Sequence, residues 1–264
     1  MTDRERRDRS SDLSPVRSPV KVSVVLPTYD EAANIGPLIE RLSAALVEDF
    51  ELVVVDDDSP DGTWAVVDAI SATQPNVRLL RRRDQRGLTS ALRAGIAAAQ
   101  GDIVVWMDCD LSMPPELVPQ LVAAVESGYD VAVGSRFVRG GGILVEDPES
   151  RDRPLAVILS RALNYGIQFL LDSGFKDYTS GFIALRREIL QRIGLRGDYG
   201  EYFIDLMYRS IQAGYRYVEI PYVCQPRREG VSKTGTNLWQ YLRRGRKYVT
   251  TALRLRLTPP HHTP

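Results

Sequence analysis

The chain has 264 residues, 44% of them hydrophobic, and 34 basic residues balance 34 acidic ones. That length and composition suit one α/β domain with a sizeable core, and the even charge argues against a nucleic-acid binder. Two cysteines, Cys109 and Cys224, are too few for a disulfide framework and fit a reducing compartment, where both read as small structural side chains.

Residues 1–20 mix Arg, Asp, Ser and Pro without an apolar stretch. They read as a disordered tail and not as a signal peptide. The apolar run Val22–Leu26 then predicts a buried parallel strand, followed by a helix with Asn34 near its start. Next come a strand over Leu52–Val55, a helix over Thr63–Thr73, a strand over Val77–Leu80 and an Ala-rich helix over Thr89–Ala99. Ile103–Met107 predicts a strand, Pro115–Ser127 a helix and Val131–Val133 a strand. This alternation implies a mostly parallel sheet with helices on both faces, without internal repeats. Gly140-Gly141-Gly142 loosens a loop at Arg139–Glu146, which is free enough to cover a site or to be an ordinary surface loop.

Leu155–Leu171 is too short and too polar to span a membrane. It holds Arg161, Asn164 and Gln168 on one side with Asp172, which makes it amphipathic: a helix packed on the core or one lying on a membrane surface. Farther on, Phe182–Leu185 predicts a strand, Tyr199–Gln212 a helix and Val218–Val223 a strand. From Gly230 onward every charge is basic: Lys233, Arg243, Arg244, Arg246, Lys247, Arg254 and Arg256 interleave with Trp239, Tyr241, Tyr248, Leu253 and Leu257. This composition suits a helix on anionic lipid, or a solvated basic helix, better than an RNA-binding element. Residues 258–264 read as a second disordered tail, whose His261 and His262 are too loosely held to make a metal site.

In open α/β sheets ligands bind beyond the carboxyl ends of the strands. The acidic groups fall there: Asp30 and Glu31 after the first strand, Asp56-Asp57-Asp58 after the second, and Asp108-Cys109-Asp110 after Ile103–Met107. Ser135 and Arg136 follow Val131–Val133. No turn carries a dinucleotide fingerprint or a P-loop, so a bound phosphate needs another counter-charge. A divalent cation between Asp108 and Asp110 supplies it, since Mg²⁺ takes one or two carboxylates plus substrate phosphates. If the strand geometry persists, both carboxylates point one way and Cys109 the other. Asp56–Asp58 suit either turn capping or recognition of a base N–H. Arg227, Arg228, Gly230 and Lys233 suit a phosphate clamp or a basic surface loop.

Seven motifs in order, VVLPTYDEAANI, VVVDDDSPDGT, RGLTSALRAGI, VVWMDCDLSMPPELVP, VAVGSRFVRGG, YTSGFIALRRE and RREGVSKTG, resemble the polyprenyl (dolichyl) phosphate mannosyltransferases. These are family 2 inverting glycosyltransferases with a GT-A, Rossmann-like fold. The resemblance spans about residues 21–250 and implies a catalytic domain at 21–230, with 231–257 as a basic amphipathic segment. It implies transfer of mannose from GDP-mannose to a polyprenyl phosphate, with UDP-glucose transfer or a silent nucleotide-sugar-binding subunit as alternatives. Pro27, Tyr29, Glu31, Asp56, Asp57, Asp108, Cys109 and Lys233 would contact the nucleotide sugar. Asp108 and Asp110 would hold Mg²⁺ or Mn²⁺, Ser135 and Arg136 would meet the acceptor phosphate, and Arg227 would join Asp108, Asp110 and Arg136 in catalysis. Asp30 stands where Asn is usual, and Ser112 where some members place a third metal contact, which leaves water to complete the shell. Many relatives carry C-terminal transmembrane helices, and none is legible here. The expected location is therefore the cytoplasmic face of a membrane, reached peripherally or through a membrane-protein partner.

Overall fold

A computed structural model describes residues 21–47, 49–144, 152–227 and 238–258, with side chains placed from 158 and 245 onward in the last two stretches. In chain order the elements are β1 (Val22–Thr28), α1 (Ala32–Ala45), β2 (Phe50–Asp56), α2 (Thr63–Ser71), β3 (Val77–Arg81), α3 (Leu88–Ala98), β4 (Ile103–Trp106), α4 (Val118–Glu126) and β5 (Val131–Ser135). These are followed by β6 (Gly142–Ile143), α5 (Asp152–Leu170), β7 (Ile183–Arg186), α6 (Arg187–Ile193), α7 (Glu201–Gln212), β8 (Tyr217–Pro221), β9 (Val223–Cys224) and α8 (Leu238–Leu257). The tails, Glu146, Arg228 and Lys233 lie outside the described residues.

Seven strands form one sheet in the order β3-β2-β1-β4-β7-β5-β8. All neighbours are parallel except β7, which runs antiparallel between β4 and β5. The expected, mostly parallel sheet is thus observed. Its strands alternate between two cores because successive side chains leave opposite faces. Val24, Leu26 and Val105 join α1 and α4 on one side. Val25, Val104 and Trp106 join α3, α5, α7 and α8 on the other. Every one of these β side chains is buried, and burial of each large apolar group contributes about 1.5–3 kcal/mol. Gly95 lets α3 sit directly on the sheet, since a Cβ there would overlap Val25 and Val55.

Several element boundaries differ from the expectations. The stretch expected as one strand over Val218–Val223 is broken at Tyr222. Its second part, β9, leaves the main sheet to pair with β6. That pairing gives part of the glycine-rich 139–146 loop a regular backbone. The helix expected from Pro115 begins as a 3₁₀ turn at Pro115–Leu117, and α6 had no forecast. Thr258, expected in the tail, closes α8 through N–H and hydroxyl bonds to the Arg254 carbonyl at 2.9 and 2.8 Å. Ala252 and Leu255 of α8 are buried in the second core, so its inner face is part of the domain. No described helix is long and apolar enough to cross a membrane.

Candidate active site

The carboxyl ends of β1, β2 and β4 and the segments around Thr179 and Arg227 enclose a cavity of about 1080 Å³. Three residues at these strand ends, Asp30, Asp58 and Leu111, have positive φ (55°, 55° and 62°). Asp tolerates this left-handed region better than most residues, which accounts for Asp at 30 in the place of Asn. Leu does not, so the backbone just after Asp110 is strained, as backbone near ligand sites often is.

Asp56 is fully buried and does not line the cavity. It accepts bonds from the Thr28 hydroxyl at 2.9 Å and from the Ser59 amide and hydroxyl at 2.9 and 2.5 Å, which pin the β1 and β2 loops together. Its expected place beside a nucleotide is therefore corrected to a structural one. Asp57 does border the cavity. Its carboxylate is gripped by the Arg82 guanidinium, with Nε to Oδ1 at 2.7 Å, and by the Gly87 amide at 2.7 Å. Asp58 pairs with Arg81, which stacks over Trp64 at 3.5 Å. Arg81 and Arg82, which organise this acid cluster, have no expected role; the basic run Arg81-Arg82-Arg83 at the end of β3 is the available signal.

Pro27, Tyr29 and Glu31 line the cavity as expected from their strand-end position. Glu31 accepts a bond from Asn34 Nδ2 at 2.8 Å. Arg86 lies 5.2 Å over the Tyr29 ring, an attraction that orients the aromatic face.

β4 ends at Trp106, so the strand alternation assumed for Asp108, Cys109 and Asp110 does not persist. Asp108 opens into the cavity, while Cys109 and Asp110 are buried beside it. Cys109 packs in the core with its Sγ 3.4 Å from the Pro27 carbonyl. Asp110 accepts the Ser112 amide at 3.0 Å and faces Arg227 Nε at 3.0 Å. Among the described residues nothing donates to the Asp108 carboxylate. Its surroundings push its pKa up to about 7, first because the cavity walls strip solvent from the carboxylate and then through repulsion from Asp110, with Arg227 and Arg136 opposing. A pair of carboxylates short of positive charge fits a divalent cation. Among the described residues no third His, Cys, Asp or Glu joins them, so diphosphate and water would complete the shell.

Arg136 follows β5 and reaches the same cavity. Its Nε and Nη2 form a fork on buried Asp177 at 2.9 and 2.8 Å, and Nη2 also donates to Thr179 Oγ1 at 2.9 Å. Burial works against its charge, and the Asp177 pairing outweighs it, so the guanidinium stays protonated. The two Nη1 hydrogens have no partner among the described residues and remain for an anion. Ser135, expected beside that anion, is fully buried and off the cavity wall. Its hydroxyl bonds Glu219 and takes the Phe137 amide at 3.4 Å, which is a correction. Asp177 had no expected role, because its meaning depends on β7 bringing it against the end of β5.

Residues 23–194 match the profile described as glycosyl transferase family 2. The chain belongs to that family. This glycosyl transferase is 37% identical over 227 residues to the dolichol-phosphate mannosyltransferase of Pyrococcus furiosus, a match that covers 85% of this chain and 62% of that protein. The chain thus spans less than two thirds of that relative. It is also 37% identical over 236 residues to the polyprenol monophosphomannose synthase of Mycolicibacterium smegmatis, with 86% of each chain covered. Its fold matches glucosyl-3-phosphoglycerate synthase of Mycobacterium tuberculosis, solved with Mn²⁺, UDP and glucosyl-3-phosphoglycerate. The TM-score is 0.67 at 22% identity, over 91% of this chain and 81% of that one. The GT-A-type architecture follows.

Proposed function

We propose that this glycosyl transferase moves mannose from GDP-mannose to a polyprenyl monophosphate with inversion at the anomeric carbon, using Mg²⁺ or Mn²⁺, at the cytoplasmic face of a membrane. The observation that carries the reading is the meeting, in one cavity, of an acid pair only partly neutralised by Arg227 with an arginine, Arg136, that keeps N–H groups unused among the described residues. The names of the mannosyltransferase relatives support the sugar and the lipid.

Asp108 and Asp110 would hold the cation, which supplies positive charge to the departing diphosphate. Asp57, fixed by Arg82 and Gly87, together with Tyr29 and Glu31, would seat the nucleotide. Arg136, held rigid by Asp177 and Thr179, would aim its two free N–H groups at the acceptor phosphate. That phosphate has a second pKa near 6 and is largely dianionic at neutral pH, so no strong general base is needed. What the reaction needs is cations that hold two anionic groups together, and Arg136 and Arg227 provide them. Arg228 and Lys233 would extend this clamp. Attack from the face opposite the diphosphate inverts the anomeric centre.

The test is transfer of labelled sugar to a short polyprenyl phosphate in Mg²⁺ or in EDTA, from GDP-mannose and from UDP-glucose. Metal-dependent labelling from GDP-mannose alone is expected. Labelling from UDP-glucose alone would overturn the donor, and a product of retained configuration would overturn the mechanism.

A further inference from the structure

Tyr202 stands in the first turn of α7, 3% exposed, and lines the cavity beside Asp108 and Gly181. The second core holds its ring, tilted at 52° to Trp106 with centroids 6.3 Å apart and edge-on to Phe203 at 6.2 Å. Its hydroxyl is held as well. Nε1 of Trp106, the last residue of β4, donates to it at 2.9 Å. An indole nitrogen only donates, so the Tyr202 oxygen is the acceptor in this bond and its own hydrogen is left over. Among the described residues no acceptor takes that hydrogen. Burial first, and then the charge of Asp108, hold the phenol above its usual pKa range, so the hydrogen stays in place at neutral pH. On the other side a Cβ built on Gly181 would stand 3.7 Å from the hydroxyl. The bare backbone there, at φ 71°, leaves that side open to the cavity. A buried donor fixed in direction and lacking an acceptor is a group that folding alone does not satisfy.

The neighbours of the hydroxyl indicate what it meets. Asp108 belongs to the acid pair that would hold the cation and the departing diphosphate. Thr179, two residues before Gly181, takes a bond from Arg136, which would hold the acceptor phosphate. A hexose in transfer is bonded to the first of these phosphates and attacked by the second, so it lies between them. Tyr202 borders that space from the side. The phosphates have a cation and arginines to neutralise them. The hexose is uncharged, and each of its hydroxyl oxygens can accept one bond from a neutral phenol. A site that spends a buried donor on a substrate hydroxyl rejects the analogue that lacks it, because the donor is then left unpaired.

We propose that the Tyr202 hydroxyl donates a hydrogen bond to a hydroxyl oxygen of the transferred hexose and so selects the sugar independently of the nucleotide, with Trp106 as the positioning residue that aims it. The inference rests on the nucleotide-hexose reading of the cavity. The test is Tyr202→Phe, which removes one oxygen, with calorimetric titration of GDP and of GDP-mannose in Mg²⁺ without acceptor. GDP should bind variant and wild type alike, and GDP-mannose should bind the variant about tenfold more weakly, the scale of one neutral hydrogen bond. Monodeoxy analogues of GDP-mannose locate the contact: one of them should bind the wild type about tenfold more weakly than GDP-mannose does, with no further loss in the variant. A second readout uses the wild type alone. The Trp106 indole N–H resonance should move downfield with GDP-mannose and not with GDP, because a phenol that donates becomes a better acceptor. Equal losses for GDP and GDP-mannose would put Tyr202 at the diphosphate or the cation and overturn the proposal. Undiminished GDP-mannose binding by the variant, or an indole resonance that does not distinguish the two ligands, would do the same. The same sugar-dependent losses with UDP-glucose against UDP, and none with GDP-mannose, would sustain Tyr202 while overturning the donor. Binding of neither nucleotide sugar by the wild type would overturn both.

Discussion

Two acid clusters stand at the ends of β2 and β4, on either side of β1 in one sheet, and they are put to opposite uses. Asp56, Asp57 and Asp58 all have their counterparts within the protein: hydroxyls and an amide for the first, Arg82 and Gly87 for the second, Arg81 for the third. Asp108 has none among the described residues, and its partner Asp110 shares only one ion pair with Arg227. The first cluster is a finished piece of folded structure with one member at the cavity wall. The second is left short of positive charge, which a ligand must supply. Carboxylate count distinguishes nothing here; the number of donors already committed to each carboxylate does.

The sharpest test of this contrast is Asp108→Asn. Transfer should fall by about a thousandfold, the scale of losing a principal electrostatic contact, while stability in EDTA holds or rises. A variant that unfolds would place Asp108 with the first cluster instead. Arg136→Ala should cost about 3–5 kcal/mol in urea unfolding, because it strands the fully buried Asp177 carboxylate. Arg136→Lys should keep the charge but lose the fork, lowering turnover more than folding. Asp56→Ala should cost about 2–3 kcal/mol by orphaning the Ser59 amide and two hydroxyls, with the donor KM nearly unchanged, whereas Asp57→Ala should raise that KM.

The smallest expected effect is in pH. The Asp108 carboxyl is pushed up to about 7 by desolvation within the cavity and by Asp110, whereas it titrates near 3.9 in an unfolded chain. Between those values the folded protein keeps a proton that the unfolded chain has released. In EDTA, stability should therefore fall as pH rises from about 4 to about 7, and Asp108→Asn should flatten that slope. Calorimetry across the range checks it, and a slope unchanged by the substitution would show the two clusters to be electrostatically alike.

The same contrast separates what was legible in the sequence from what was not. Apolar runs of strand length ending in acids and an arginine locate the sheet, its ligand-binding edge and the Asp108–Asp110 pair, because strand burial and the strand-end rule are local in sequence. Asp56 and Asp57 are neighbours of one type, and pattern alone could not say which would turn away. Thr28, with the local Ser59, closes on one while Arg82 draws the other to the wall, and Thr28 and Arg82 arrive from elsewhere in the chain.

The sequence by itself determined the alternating α/β order, the positions of the reactive groups and the amphipathic character of α5. Only the tertiary structure decided that Ser135 is buried with its hydroxyl on Glu219, that Asp177 anchors Arg136, and that Asn164 and Gln168 join Ile167 on the inner side of α5 while Tyr165 and Phe169 stay outside. Periodicity reports that a helix has two faces. Which face is buried depends on what waits inside, and here that is the second core, which takes Ile167 and Leu171, together with the Lys176 carbonyl and the Tyr178 amide, which bond Asn164 and Gln168.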